Sequence, residues 1–429
     1  MSLTFLLLLL FSDDLWAAEQ IHLSLGGEYF QQLQSEVIIE SISADATQMT
    51  VTWVTQEKPT GGSAVVYHEA EGAEKIVTGG WQEFVAGKGH TIYVHRVPIN
   101  NLTLGTTYHY KVRDSEGESP KKYLFRTAAK DFSPKILVYG DMGTEDAISI
   151  PSLIGEVENH NADVIFHVGD MAYNLDDDEG RNGDKFLKMM EPIAANVPYQ
   201  VLPGNHESGS NFSHFDHLFS MVDSTSGKRN NFFYAQDIGP LHIVSITTEF
   251  YFYTEYGTEQ IQSQYNWLVN DLRQAAGNRK VRPWIVVMSH RPMYCSADND
   301  YCPKDAHTVR DGISGKFGLE ELLHKFEVDL YVSGHAHIYE RSYPVFREKV
   351  MPHSADPYYN PGGPVHLTTG SAGCDEGLYK FQKAVPEWSA KRVSDYGYTR
   401  LSADRKAITV QQVSAQDGRV IDEFQIRTG

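Results

Sequence analysis

The stretch Ile165-Phe166-His167-Val168-Gly169-Asp170-Met171-Ala172-Tyr173-Asn174 decides how the chain is read. An apolar run of strand length ends at a glycine that releases the backbone, and an aspartate and a tyrosine follow, three residues apart. The same grammar recurs elsewhere. Lys135–Tyr139 runs into Gly140-Asp141-Met142-Gly143, and Tyr199–Leu202 into Pro203-Gly204-Asn205-His206-Glu207. Trp284–Met288 runs into Ser289-His290, and Val328–Val332 into Ser333-Gly334-His335-Ala336-His337. Each strand delivers a metal-type ligand at its carboxyl end, where open α/β sheets build their sites. One such end would mean little; the series points to one site.

Around these strands the pattern alternates strand, loop and helix, with helices expected over Ser149–His160, Glu259–Ala276 and Phe317–Phe326. The tail returns to strands at Val365–Thr369, Gly397–Leu401, Ala407–Val413 and Val420–Ile426. Residues 131–429 therefore read as an α/β domain with two packed mixed sheets flanked by helices. Upstream, residues 19–130 lack helical periodicity. Met49–Thr55 alternates with period two, placing Met49, Val51 and Trp53 on one face and Thr50, Thr52 and Val54 on the other. Ser63–Tyr67, Thr91–Val97, Thr107–Val112 and Tyr123–Thr127 follow at strand length, which indicates an all-β sandwich. No chemistry is legible in this front domain, so packing or spacing is its expected role. The polar stretch 128–134 is the expected junction.

A formal net charge of −19 over 429 residues argues against a nucleic-acid surface and suits a protein working at low pH. The apolar run Phe5–Phe11 is too short to span a bilayer but fits the core of a signal peptide over residues 1–18. No later stretch is long enough for a transmembrane helix, so secretion or lysosomal delivery is the expected route. The sequons at Asn101 and Asn211 agree with it as glycosylation sites. Cys295 and Cys302 lie in one polar loop and can close a small disulfide. Cys374 is left over, either an interchain link or, as free cysteines usually are, a buried thiol.

Asp141, Asp170, Tyr173, Asn205, His290, His335 and His337 form a set of hard oxygen and borderline nitrogen donors. The set contains no cysteine, which argues against a closed structural zinc site. Seven ligands are too many for one tetrahedral ion and suit two metals with open positions. Such a pair clamps the attacking and leaving oxygens of an in-line displacement at phosphorus, so the chemistry called for is phosphate-ester hydrolysis. Taken singly, each residue has an ordinary reading: a turn aspartate, a packing tyrosine, a loop histidine. Taken together, with a ligand at every strand end, those readings fail.

Asp141-x-Gly143, Gly169-Asp170-x-x-Tyr173, Gly204-Asn205-His206-Glu207, the strand ending in His290, and Gly334-His335-x-His337 occur in the order seen in purple acid phosphatases. Trp53 and the Leu104…Tyr108-x-Tyr110 pattern make the front domain similar to a fibronectin type III module, as in the large two-domain form of that family. Without Tyr173 the match would be to calcineurin-like metallophosphoesterases at large. The resemblance implies a ferric ion held by Asp141, Tyr173 and His337. It implies a divalent ion (iron, zinc or manganese) held by Asn205, His290 and His335, with Asp170 bridging both. It further implies hydrolysis of small phosphate monoesters at acid pH by a hydroxide bound to that centre, with His206 contacting substrate. The family's second substrate histidine has no direct counterpart. His307 is the residue available for it, with Arg291 or Tyr294 as other substrate contacts.

Two rival functions remain at this level: a metallophosphodiesterase or nucleotidase on the same scaffold, and a non-catalytic extracellular binding protein. Tyr173 speaks against the first and the complete ligand set against the second. His167, His242 and His366 lie in strands and are expected to pack, and Arg341 to pair with an acid.

Overall fold

The computed structural model describes residues 18–26, 47–115, 117–129, 133–353 and 355–429. The leader expected at residues 1–18 lies outside these, apart from Ala18.

The front domain is a β-sandwich built on one hydrogen-bonded path. Its strands run in the order Glu19–Leu25, Met49–Thr55, His90–Ile99, Lys75–Gly87, Ser63–Glu69, Thr107–Asp114, and Tyr123–Arg126 also pairs with the last of these. The strand Lys75–Gly87 joins the two faces. Residues 75–79 pair with Ser63–Tyr67, whereas Gly80–Gly87 pairs with His90–Arg96. The change of partner falls at Gly79-Gly80, and a Cβ on Gly79 would overlap the Arg96 carbonyl. Leu23, Val51, Trp53, Val97, Tyr110 and Phe125 fill the interior. Tyr108 Oη accepts the backbone N–H of Thr103 at 2.8 Å, the tyrosine corner expected of a fibronectin-like module.

Both faces of Met49–Thr55 are buried, because the second face docks on the other domain. Thr52 Oγ1 donates to Ser220 Oγ at 3.1 Å, Arg96 Nε to the same oxygen at 2.7 Å, and Tyr110 Oη to the Ala195 carbonyl at 2.7 Å. Val54, Phe84, Ile92 and Val94 join the same apolar cluster as Leu153, Phe186 and Met190. At about 25 cal/mol per Å² of apolar surface, such a face is packing, not spacing.

The second domain consists of two sheets packed face to face. One runs Tyr199–Leu202, Val164–Val168, Lys135–Tyr139, Gly397–Ala403, Ala407–Ser414, Val420–Arg427. The other runs Tyr234–Ile238, Leu241–Ser245, Trp284–Met288, Leu330–Ser333, Val365–Thr369, Tyr339–Ser342, Ser389–Val393. Tyr199–Leu202, Val164–Val168 and Lys135–Tyr139 run parallel at one side of the first sheet, and Leu241–Ser245, Trp284–Met288, Leu330–Ser333 and Val365–Thr369 run parallel through the second. Their residues alternate between two buried layers. Ile136, Val138, Phe166 and Val168 meet Val286, Met288, Val332 and Leu367 between the sheets, while Leu137, Tyr139 and Ile165 face the helices. Strands buried on both faces explain the unbroken apolar runs.

The helices expected at 149–160 and 259–276 form as Ile150–Glu158 and Glu259–Gly277. The third begins later, at Glu320, because Lys316–Phe317 pairs with Gly312–Ile313. Three helices went unread: Arg181–Ala194, Gly209–Leu218 and Cys302–Asp311. The last replaces part of the polar loop expected between Cys295 and His307. Its start carries the signals of a helix, a proline and an acid (Asp305) in the first turn. Among the described residues, no helix is long and apolar enough to cross a membrane.

Candidate metal centre

The parallel strands of both sheets release their chains at one edge. There Asp141, Asp170, Tyr173 and His335 all take left-handed backbone conformations, with φ between 53° and 64°. Non-glycine residues reach this region at a cost, and such strain clusters at functional sites. The turns must be tight. A Cβ on Gly204 would overlap the Asp170 carboxylate, and one on Gly334 would lie 2.6 Å from Asp141 Oδ2.

The side chains converge from positions as far apart in sequence as Asp141 and His337. Tyr173 Oη lies 2.8 Å from His337 Nε2, which faces Asp141 Oδ1 at 3.5 Å. His290 Nε2 lies 3.1 Å from both Asp170 Oδ2 and Asn205 Oδ1. One donor atom each of Asp170, His290 and His335 falls within 4.8 Å of the others. Asp141 Oδ2 accepts the backbone N–H of His335 at 2.9 Å and so ties the two halves together. All seven expected ligands are thus brought to one place.

Backbone carbonyls set the imidazole tautomers. His290 Nδ1 donates to the Val168 carbonyl at 2.8 Å and His337 Nδ1 to the Gly377 carbonyl at 2.9 Å. A carbonyl only accepts, so in each ring Nε2 is left to offer its lone pair to the site.

The electrostatics call for positive charge. Asp141 and Asp170 are buried, and Asp141 Oδ1 makes no hydrogen bond. Burial alone would depress His290 and His337, yet the Asp170 carboxylate lifts His290 to about 10, and contact with Asp141 lifts His337 to about 11. Burial, and then the charges of Asp141 and Asp170, hold the Tyr173 phenol well above its ordinary value. His335 is pushed down to about 4 by burial and by the Arg291 guanidinium. Two buried carboxylates, an orphaned oxygen and a hard oxygen-nitrogen donor set fit cations.

His206 stands at the mouth. Its backbone N–H donates to Asp170 Oδ1 at 2.9 Å, and its ring packs 4.4 Å from that of Tyr173. Asn174 Nδ2 donates to Asp177 Oδ2, which turns Asn174 Oδ1 toward His206 Nδ1 at 2.9 Å. His206 Nε2 is left facing Glu376 at 3.8 Å.

His307 does not join the site. It sits on the helix Cys302–Asp311, 69% exposed, paired with Asp311 at 3.1 Å. Asp305, two residues earlier and so about 200° round the helix, faces inward to His335 and Arg291. Arg291 is itself fastened to Glu249 by three contacts of 2.9 Å, and Tyr294 to Glu320. Cys295 and Cys302 form a disulfide, and Cys374 is a buried free thiol 3.4 Å from His337 Nδ1. Asn101 and Asn211 are exposed. His167 and His366 are buried, and Arg341 pairs with Asp422 at 2.8 Å. His242 does more than pack: it binds Asp237 at 2.8 Å and Asp271 at 2.9 Å. Sequence reasoning passed over Glu207, Asp305 and Glu249. Glu207 carried a signal, an acid directly after the Asn205-His206 pair; the others carried none.

Two packed sheets with acids, imidazoles and a phenol gathered at their carboxyl edge define a metallophosphoesterase. Residues 134–339 match the family described as calcineurin-like phosphoesterase. Residues 363–423 match iron/zinc purple acid phosphatase-like protein C, and residues 35–127 the purple acid phosphatase N-terminal domain. Over 414 residues the chain is 42% identical to acid phosphatase type 7 of Mus musculus, covering 93% of this chain and 92% of that one. It is 41% identical over 417 residues to acid phosphatase type 7 of Homo sapiens, covering 95% and 90%. The solved structure of purple acid phosphatase PPD1 from yellow lupin (Lupinus luteus) shares the fold, with a TM-score of 0.75 at 22% identity over 96% of this chain and 74% of that one. The chain belongs to the purple acid phosphatase family and is a metal-dependent acid phosphatase.

Proposed function

We propose that Asp141, Tyr173 and His337 hold a ferric ion, that Asn205, His290 and His335 hold a divalent ion (iron, zinc or manganese), and that Asp170 bridges them. The observation that carries this reading is the approach of Tyr173 Oη to His337 Nε2 at 2.8 Å beside the buried Asp141 carboxylate. A phenol held there would donate to a hard trivalent ion, and the charge transfer would give the protein colour. When bound at these residues, such a pair of ions would supply activation of water and neutralisation of charge on the phosphoryl oxygens of a small phosphate monoester.

The chain's own residues supply orientation and protons. Asp170 Oδ1 anchors the backbone of His206. Asn174 accepts from Nδ1 of that ring and leaves Nε2 pointing outward. When protonated, Nε2 can donate to a phosphoryl oxygen or give its proton to the departing alkoxide. Secretion or delivery to a lysosome suits the Cys295–Cys302 disulfide and the exposed sequons.

The test is a visible spectrum with metal analysis on protein secreted from a eukaryotic host. A broad visible band with iron plus one other metal per chain is expected. Colourless protein holding two zinc or manganese ions would overturn the ferric assignment and reopen the phosphodiesterase reading.

A further inference from the structure

We infer that Asp305 is the positioning residue for the divalent half of the site, accepting the Nε2–H of His335 and so turning the Nδ1 lone pair of that imidazole inward. The inference rests on the ligand set proposed above.

His335 differs from the other two histidines. In His290 and His337 a backbone carbonyl takes Nδ1 and Nε2 faces the site. In His335 it is Nε2 that is engaged, 3.1 Å from Asp305 Oδ2. An ionised carboxylate only accepts, so the proton sits on Nε2 and Nδ1 is the atom left for a cation. Arg291 Nη1 also lies 3.1 Å from His335 Nε2, but it pairs with the same Asp305 oxygen. The stronger acceptor for both donors is the charged carboxylate.

Asp305 is held in turn. Arg291 is locked by Glu249, its guanidinium lies 4.0 Å from the centre of the Phe252 ring, and its backbone N–H donates to Thr248 Oγ1 at 2.9 Å. Arg291 and Asp305 pair with each other and flank, on either side, the segment that the Cys295–Cys302 disulfide closes. The segment from Arg291 to Asp305 is therefore clamped twice, once covalently and once by charge. It supplies a carboxylate behind a metal ligand instead of a second histidine in front of the substrate. Such partners fix ring orientation and raise ligand basicity, and losing one typically costs about 10–100-fold in metal affinity.

Removing Asp305 leaves Arg291 and Glu249 as a balanced pair, so Asp305→Ala keeps the fold. Zinc affinity of the full-length, iron-loaded protein is measured by chelator competition, with the visible band followed alongside. Asp305→Ala is expected to bind zinc about 10–100-fold more weakly with the band intact. Asp305→Asn, whose amide oxygen still accepts from Nε2, is expected to stay near wild type. Unchanged affinity in Asp305→Ala overturns the inference. So does Asp305→Asn falling as far as Asp305→Ala, because charge alone would then be at work. His335→Ala separates the two readings: if it keeps zinc, the ligand set itself fails.

Discussion

The Glu207 carboxylate accepts the backbone N–H of Asp170 through Oε2 at 2.9 Å. The same side chain accepts Met171 N–H at 2.9 Å and Gly204 N–H at 2.8 Å, so one buried acid sets both turns that present Asp170 and Asn205. Burial, then the Asp170 charge, raises it to about 7. Glu207→Gln would turn an NH₂ toward one of these donors, for an expected loss of about 1–3 kcal/mol in denaturant unfolding. Glu207→Ala frees both turns and should lose bound metal as well. Metal content equal to wild type in Glu207→Ala would show that the turns hold without it.

Tyr173 offers a sharper spectroscopic test. With burial and two carboxylates opposing ionisation, its phenol stays neutral at any moderate pH unless a cation takes the proton's place. Iron added to metal-free protein should therefore generate the visible band, whereas raising pH alone should not. Tyr173→Phe should fold, bind its divalent ion and remain colourless. A coloured Tyr173→Phe variant would move the ferric ligand to another side chain.

His242 predicts a pH-dependent stability remote from the site. Burial alone would lower it, but the hydrogen bonds it donates to the Asp237 and Asp271 carboxylates raise it to about 9. Arg282, at 3.2 Å from Asp237, shares that acid. The folded value lies above the unfolded value of about 6.5, so the contribution is complete below that pH and is lost as pH rises through about 9. At roughly 1.4 kcal/mol per unit it amounts to about 3 kcal/mol. The stability gap between wild type and His242→Gln should be largest at pH 5–6 and shrink toward pH 10. A gap that does not change with pH would mean that His242 is neutral.

The strand ends that converge at the candidate metal centre were legible because each combines a doubly buried apolar run with a polar residue at its exit, a signal local to a few residues. The tyrosine corner was legible for the same reason. Lys75–Gly87 was not: its two central glycines and largely exposed side chains give no alternation to count. His307 misled because it was the histidine available after His290, and its helix turns it outward while Asp305, two residues earlier, faces the site. Asp305, Glu249 and Arg291 act through one another across 56 residues, and no local pattern records such a cluster.

The disulfide gives the last prediction. Cys295 and Cys302, with Cα atoms 5.6 Å apart, close a short ring. By chain entropy a ring of this size is worth about 2.5 kcal/mol. That ring joins Arg291 to the helix that carries Asp305, so its loss loosens the ion pair as well as the unfolded chain's restraint. The double variant Cys295→Ser/Cys302→Ser should unfold at lower denaturant and release its divalent ion faster to a chelator. It should keep the visible band, because Asp141, Tyr173 and His337 hang from other strands. If denaturation shifts but metal release does not, the segment is held at the site by the Arg291–Glu249–Asp305 charges alone, and the covalent closure serves stability only.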